Sequence, residues 1–438
     1  MNNNKILKFS NNYIDFLNVC KTERLAVKKI ESILLENGFC NIDKKDKLIK
    51  GDKVYFINKN KSVFASIIGD DIDKGLSIIG SHIDSPRLDL KPNPLFDFEN
   101  LSLLKTHYYG GIKKYQWTCI PLSIIGVIIK NNGDVVDINI GGEKDDFTFT
   151  ISDLLPHLAK DQMNMKLSDA IKAEDLNIII GNKYVNNNVK NYILDVLKEK
   201  YNIEKEDFLS AELEVVPSFN AKSLGFDKSM VAGYGQDDRV CVYTSLMAFL
   251  DSNESKKTKV IIFSDKEEIG SVGNTGMHSN IFDVFINDIL NKLKINKIGK
   301  KDKILSKSQM LSADVGAGLD PNYKDAFEIN NASKIGFGVE INKYTGSKGK
   351  YNSNDASAEL TSKIKHIFDN NNVKYQFAEL GKVDLGGGGT IAYILANKAV
   401  DVIDCGVPVI SMHSPYEITS KFDIYEAYRA YKVFYEEI

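Results

Sequence analysis

Residues 76–84 read LSIIGSHID, an apolar run that ends in His82 and Asp84. Three more segments share the plan: KVIIFSDKEE at 259–268, QMLSADV at 309–315 and VPVISMHS at 407–414. Each run has the length and β-branched character of a buried strand. Each is followed at once by His82, Glu267–Glu268, Asp314 or His413. Imidazoles and carboxylates brought to one edge of a sheet form a site for hard or borderline metal ions.

Working outward, residues 1–92 begin with an amphipathic helix. Ser10 is its expected cap, Tyr13, Phe16, Leu17, Ile30, Ile33 and Leu34 its apolar stripe, and Gly38 its end. VYFI and SVFASII then read as paired strands. From 93 to 225 the texture changes. IPLSIIGVIIKNNGDVVDINIG predicts a hairpin turned at Asn131–Asn132–Gly133, LNIIIGNKY a strand, and VKNYILDVLKEKYNI a helix. From 226 to 438 the signals alternate. DDRVCVYTSLMAFLD, DASAELTSKIKHIFDNN, GTIAYILANKA and a last stretch from Tyr425 read as helices; KVIIFS, QMLSAD, KYQFAEL and DCGVPVISM read as strands. Alternation of this kind predicts an α/β fold, a central sheet with helices on both faces, here interrupted by residues 93–225 as an inserted domain.

Composition narrows the function classes. At 438 residues the chain is long enough for more than one domain, and 43% hydrophobic with 26% charged residues is ordinary for a globular protein. A net charge of −3 offers no footprint for nucleic acid or anionic lipid. The five cysteines, at 20, 40, 119, 241 and 405, form no CxxC pair and read as reduced thiols. MNNNKILKF lacks the apolar core of an export signal, and CIPLSIIGVII at 119–129 is too short to span a bilayer. A cytoplasmic protein is the expectation.

Singly, the polar residues have bland readings. His82 and Asp84, two apart on an extended segment, point the same way, so a carboxylate can support a metal-binding imidazole; a strand-end histidine with a surface aspartate fits as well. Asp237–Asp238 in GYGQDDRV opens a helix, where aspartate is commonly a cap, yet it can also bridge two cations. Glu267 and Glu268 can serve one site only if the chain turns after Ser264; otherwise they are a charged loop. Asp314 and His413 follow apolar runs. His107 and His278 read as loop residues, His366 as helical, and His157 in ISDLLPHLAKDQ as structural. Together, two histidines and four carboxylates suffice for two metals: one bridging acid, one imidazole and one acid per metal, and one acid left for water. Co-catalytic pairs of this kind lie about 3.5–4 Å apart. Mixed N/O ligation suits zinc, cobalt or manganese.

In order along the chain stand GSHIDSPRLDLKP, LPHLAKDQ, GQDDRV, DKEEIGS, SADVGAGLDPNY, GKYNSNDASAE, GGGGTIAYILA and VPVISMHSPYE. Over nearly its whole length the sequence thus resembles the aspartyl aminopeptidases, dinuclear zinc exopeptidases, in their bacterial branch. The resemblance implies a zinc-exopeptidase-like catalytic domain, an inserted β-rich domain for oligomer contacts, and a tetrahedral homododecamer enclosing its active sites. It implies two zinc ions per subunit, with Co2+ or Mn2+ able to substitute. His82 and Asp314 would hold one, Glu268 and His413 the other, and Asp237 would bridge them. Glu267 would be the general base, Asp84 the orienter of His82, and His157 a residue reaching a neighbouring subunit's site. The family carries two histidines near the last position, and this chain has Asp161 at the second.

The implied reaction is hydrolysis of the N-terminal residue from peptides, with a preference for Asp or Glu. That preference needs a cationic pocket, for which Lys343, Lys348 and Lys350 are the candidates; Glu340 falls near an expected basic position. Two other readings remain at this point. A dinuclear carboxypeptidase or N-acyl deacylase shares the scaffold, but LPHLAKDQ and GKYNSNDASAE count against it. A non-catalytic assembly protein predicts a broken ligand set.

Overall fold

A computed structural model describes residues 3–142, 147–182, 189–253 and 256–438. The chain divides into two units, one made of 1–84, 221–412 and 417–438, the other of 85–220 and 413–416. The expected switch at 92/93 falls inside the strand Arg87–Phe98, and the expected return at 225/226 lies just past the strand Lys222–Leu224.

The first unit is built on a nine-stranded mixed sheet. Its order is Cys40–Asn41, Lys53–Asn58, Ser62–Ile67, Thr258–Ser264, Leu76–His82, Gln309–Ser312, Asp401–Gly406, Val339–Asn342, Tyr375–Phe377. The strands Thr258–Ser264, Leu76–His82, Gln309–Ser312 and Asp401–Gly406 run parallel. Helices cover both faces, and the period-2 alternation of strand side chains shows why. Ile79, Ile261, Phe263, Leu311 and Ile403 face one apolar cluster with Val240, Leu246, Ile364 and Tyr431. Ile78, Val260, Ile262, Met310 and Val402 face the other, with Phe282, Ile286 and Leu395. Strands buried on both sides have no polar face, which is why they read as unbroken apolar runs.

The second unit carries a six-stranded sheet, Val135–Ile140, Leu122–Ile129, Ala211–Pro217, Arg87–Phe98, Leu101–Tyr109, Ile178–Gly181, antiparallel throughout. Its hairpin turns where the Asn-Asn-Gly signal put it, with Gly133 at φ +88°. The helix Val189–Tyr201 belongs to this unit.

Several local expectations are corrected. The N-terminal helix is two helices, Asn3–Val19 and Glu23–Glu36. Ser10 lies inside the first; Thr22 caps the second by accepting from the Leu25 amide at 3.3 Å. The last helix starts at Lys421, because the Ser420 hydroxyl accepts from the Phe422 amide and fixes the start earlier than Tyr425. DCGVPVISM is not one strand: Asp401–Gly406 lies in the large sheet and Pro408–Ile410 in a separate five-stranded one. His107 sits in the strand Leu101–Tyr109 rather than a loop. Among the described residues no helix is long and apolar enough to cross a membrane.

Glu340, on Val339–Asn342, is 1% exposed, and a Cβ at Gly316 would lie 1.8 Å from its Oε2. The carboxyl therefore occupies the space that only glycine leaves. Burial pushes its pKa up to about 7, while the nearby polar groups of Ser333 and Asn342 act to lower it. A carboxyl raised in the folded state favours folding at low pH, and that contribution is lost as pH rises through 7. Glu340→Gln should therefore leave stability near pH 4.5 unchanged and raise it at pH 8 by up to about 3 kcal/mol. Thermal unfolding of both proteins at the two pH values checks this.

Candidate metal centre

The parallel strands deliver their polar residues to one edge. Ser264 pairs with His82 and Ser312 with Gly80. Pairing continues past the strand ends, Ile83 N to Ser264 O at 2.9 Å and Ala313 N to Gly80 O at 2.7 Å. Just beyond lie Asp314 and the turn Glu267–Ile269. That turn answers the parity problem of two adjacent glutamates. Lys266 at φ +67° and Gly270 at φ +89° bracket a 3-10 turn, so both carboxylates can reach one side. Asp237 is supplied by the first turn of Gln236–Asp251, held by a hydrogen bond from its amide to Glu417 Oε2 at 3.1 Å.

Five of the predicted residues meet here. His82 Nε2 lies 3.1 Å from Asp237 Oδ1, 3.7 Å from Asp314 Oδ1 and 3.9 Å from Glu267 Oε2. Two trios, His82–Glu267–Asp314 and His82–Asp237–Glu268, each have donor atoms within 4.8 Å of one another. His82 Nδ1 is 3.0 Å from the Asp84 carbonyl and 3.4 Å from its carboxylate. Asp84 does more than face the imidazole. Its Oδ1 accepts the Glu267 amide and its Oδ2 the Glu268 amide, both at 3.2 Å. One buried carboxylate thus ties the histidine to the glutamate turn. Asp238 adds a third tie, its Oδ2 accepting the His82 amide at 3.2 Å.

The electrostatics are those of crowded acids. Burial pushes Glu267 up to about 8; Asp314, Asp84 and Asp237 push the same way, and His82 opposes them. Burial likewise raises Asp314. Burial alone would lower His82, but hydrogen bonds to Asp237, Asp314 and Asp84 hold it well above the usual histidine range. Carboxylates withdrawn from water at this separation are stable together when a cation shares them. Zinc fits the donor set, an imidazole whose second nitrogen is already oriented, among oxygen donors.

His413 and His157 belong to the second unit. His413, at φ +64°, groups with the second unit, where its Nδ1 is 2.9 Å from the Gly111 carbonyl. His157 is exposed in the turn at 156–158 of that unit. His278 bonds the Tyr393 hydroxyl at 2.7 Å, and His366 sits on the helix Ala358–Asn370. Lys343, Lys348 and Lys350 are exposed; Lys350 pairs with Asp355 at 2.8 Å and lies 3.8 Å over the Tyr344 ring. Sequence reasoning missed Glu417 and the pair Asp265–Thr275. Both act through backbone or loop contacts that leave no spacing signal.

The chain has matches among known proteins. Residues 16–435 fit the family model for aminopeptidase I zinc metalloproteases, M18. The chain belongs to this family. It is an M18 zinc aminopeptidase. A relative in Clostridium acetobutylicum, named "Probable M18 family aminopeptidase 1", is 47% identical over 440 residues, covering 98% of this chain and 95% of the relative. The crystal structure of the Thermotoga maritima M18 aminopeptidase superposes with a TM-score of 0.97 at 44% identity, over 99% of this chain and 97% of that one. The S. cerevisiae mApe1 dodecamer shares the fold, with a TM-score of 0.78 at 20% identity over 97% and 95% of the chains. The M18 fold is the mixed α/β architecture described above, and the five converging side chains leave no break in the first unit's donor set.

Metal removal should expose the strain of the acid cluster. Stripping the M18 chain with a chelator should lower its unfolding temperature, and added zinc should restore it, since a ligand at 100 times its Kd contributes about 2.7 kcal/mol. Scanning calorimetry with and without zinc measures it; an identical midpoint for stripped and reloaded protein would count against the centre.

Proposed function

We propose that the chain removes the N-terminal residue of peptides with two zinc ions per subunit and Glu267 as general base. The observation that carries this is the convergence of Glu267 and Asp314, and of Asp237 and Glu268, in two donor trios that share His82. By the motif resemblance, His82 and Asp314 would hold one ion and Glu268 and His413 the other, with Asp237 shared between them. Co2+ or Mn2+ would substitute through the same donors. For His413, the Nδ1 contact with Gly111 suits coordination through Nε2. The division of labour between Glu267 and Glu268 rests on the resemblance, since both lie in ligand-competent trios.

When bound, zinc supplies Lewis acidity, lowering the pKa of a water and polarising the scissile carbonyl. Glu267 takes the water's proton and passes it to the leaving amine, for the base of one step is the acid of the next. Asp84 keeps Glu267 and His82 in register through the turn amides.

A preference for acidic N-termini has little support. The three candidate lysines are exposed, Lys350 is already paired, and Glu340 is buried against Gly316. We propose an aminopeptidase without strict acidic selectivity. Free cysteines at all five positions suit the reducing cytoplasm.

Self-association is the second part of the reading. In the second unit Leu154, Leu155, Leu158, Met163, Met165 and Leu167 are 47–74% exposed, with His157 among them. An apolar stretch of this density fits contact with another copy, up to the tetrahedral dodecamer that the resemblance implies, with His157 reaching a neighbour's site.

Glu267→Gln should abolish cleavage of aminoacyl substrates while both metals stay bound; the unaltered enzyme should cut free aminoacyl but not N-acyl substrates. Turnover and metal content of the purified variant test it, and wild-type rates in Glu267→Gln would end the base assignment. Leu158→Asp should shift the assembly toward smaller species in light scattering. An unchanged mass would remove this stretch from the interface.

A further inference from the structure

The loop that carries Glu267 and Glu268 runs from Asp265 to His278, and its closure rests on few contacts. The Ser271 amide bonds Lys266 O at 2.6 Å, and the His278 amide bonds Ser271 O at 3.1 Å. Gly276 packs so tightly that a Cβ there would lie 2.2 Å from Ser271 O. Asn58 Nδ2 holds the loop's far side by donating to Asn274 O at 2.8 Å. Across the base of the loop, the Thr275 hydroxyl donates to Asp265 Oδ2 at 2.5 Å. Asp265 and Thr275 are 1% and 3% exposed.

We propose that Asp265 and Thr275 form a positioning latch that closes this loop so that Glu267 is held at reaction distance. Two carboxylates then fix the base from both sides. Asp84 holds the Glu267 and Glu268 amides from the sheet edge, while Asp265, two residues before Glu267, ties the outgoing chain to the incoming one. Ile269 and Val272, between these ties, are 47% and 65% exposed and take no part in a core that could fix the turn. Without the latch, this segment keeps its backbone turns, the Asn58 bond to Asn274 O and the packing of the buried Ser271, none of which ties the outgoing chain to Asp265. The turn can then shift by the ångström that costs a general base its alignment; of the proposed metal donors Glu268 shares the turn and keeps its amide bond to Asp84, while His82, Asp237 and Asp314 lie on other segments.

The inference rests on Glu267 being the base, and the experiment separates the two. Thr275→Val, close in shape but unable to donate, is compared with Thr275→Ser and with Glu267→Gln, in the zinc-loaded enzyme. Thr275→Val should lower kcat about tenfold or more with KM within about twofold, since misplacement of about 1 Å can cost a hundredfold. Its metal content should equal that of the unaltered protein and its melting temperature should stay above the assay temperature. Thr275→Ser should recover most of kcat. An unchanged kcat in Thr275→Val, a loss that tracks loss of zinc or of fold, or no recovery with serine overturns the latch. If Glu267→Gln stays active, the base assignment fails instead; if it is dead while Thr275→Val is fully active, only the latch fails.

Discussion

Ser264 stands beside His82 in the parallel pairing of Thr258–Ser264 with Leu76–His82, and the rest of the centre is built on that register. Parallel strands end at the same edge, so the residues that follow them emerge together. A slip of one residue would turn His82 to the opposite face of the sheet and separate it from the glutamate turn. The register is enforced by burial on both faces. Ile78 and Ile79 enter different apolar clusters, so neither face tolerates the other's side chains.

On that frame the acids are arranged by backbone amides. Asp84 accepts two, Asp238 accepts that of His82, and Glu417 accepts that of Asp237. Carboxylates that bond backbone donors are fixed without competing for the cation. The result is a division between acids that hold the chain and acids whose carboxylates converge on His82. Burial, and after it repulsion from Asp314, Asp84 and Asp237, raises the pKa of Glu267, and a bound cation would offset both.

The two units solve different problems. The first buries its strands on both faces and can place donors with little freedom. The second is an antiparallel sheet, and outside its strands residues 154–167 leave leucines and methionines exposed. Glu340 belongs to the first problem: it stands where a substrate-binding residue was expected, yet is sealed against Gly316.

The sequence by itself determined the strands that carry the site, because doubly buried parallel strands are continuous apolar runs and their polar successors stand out. It also placed the Asn-Asn-Gly hairpin and required a turn before Glu267, since adjacent strand residues cannot share a face. Helix starts were less legible: Thr22 and Ser420 act as caps through single hydroxyl contacts, and Ser10, equally eligible, lies mid-helix. Only the tertiary structure decided that the run from Asp404 to Met412 breaks between two sheets, that Asp84 serves the glutamate amides as well as His82, and that Asp265 meets Thr275. These depend on the direction of individual donors and acceptors brought together from distant or looped segments, and hydrogen-bond geometry at that scale leaves no periodic trace in the order of residues.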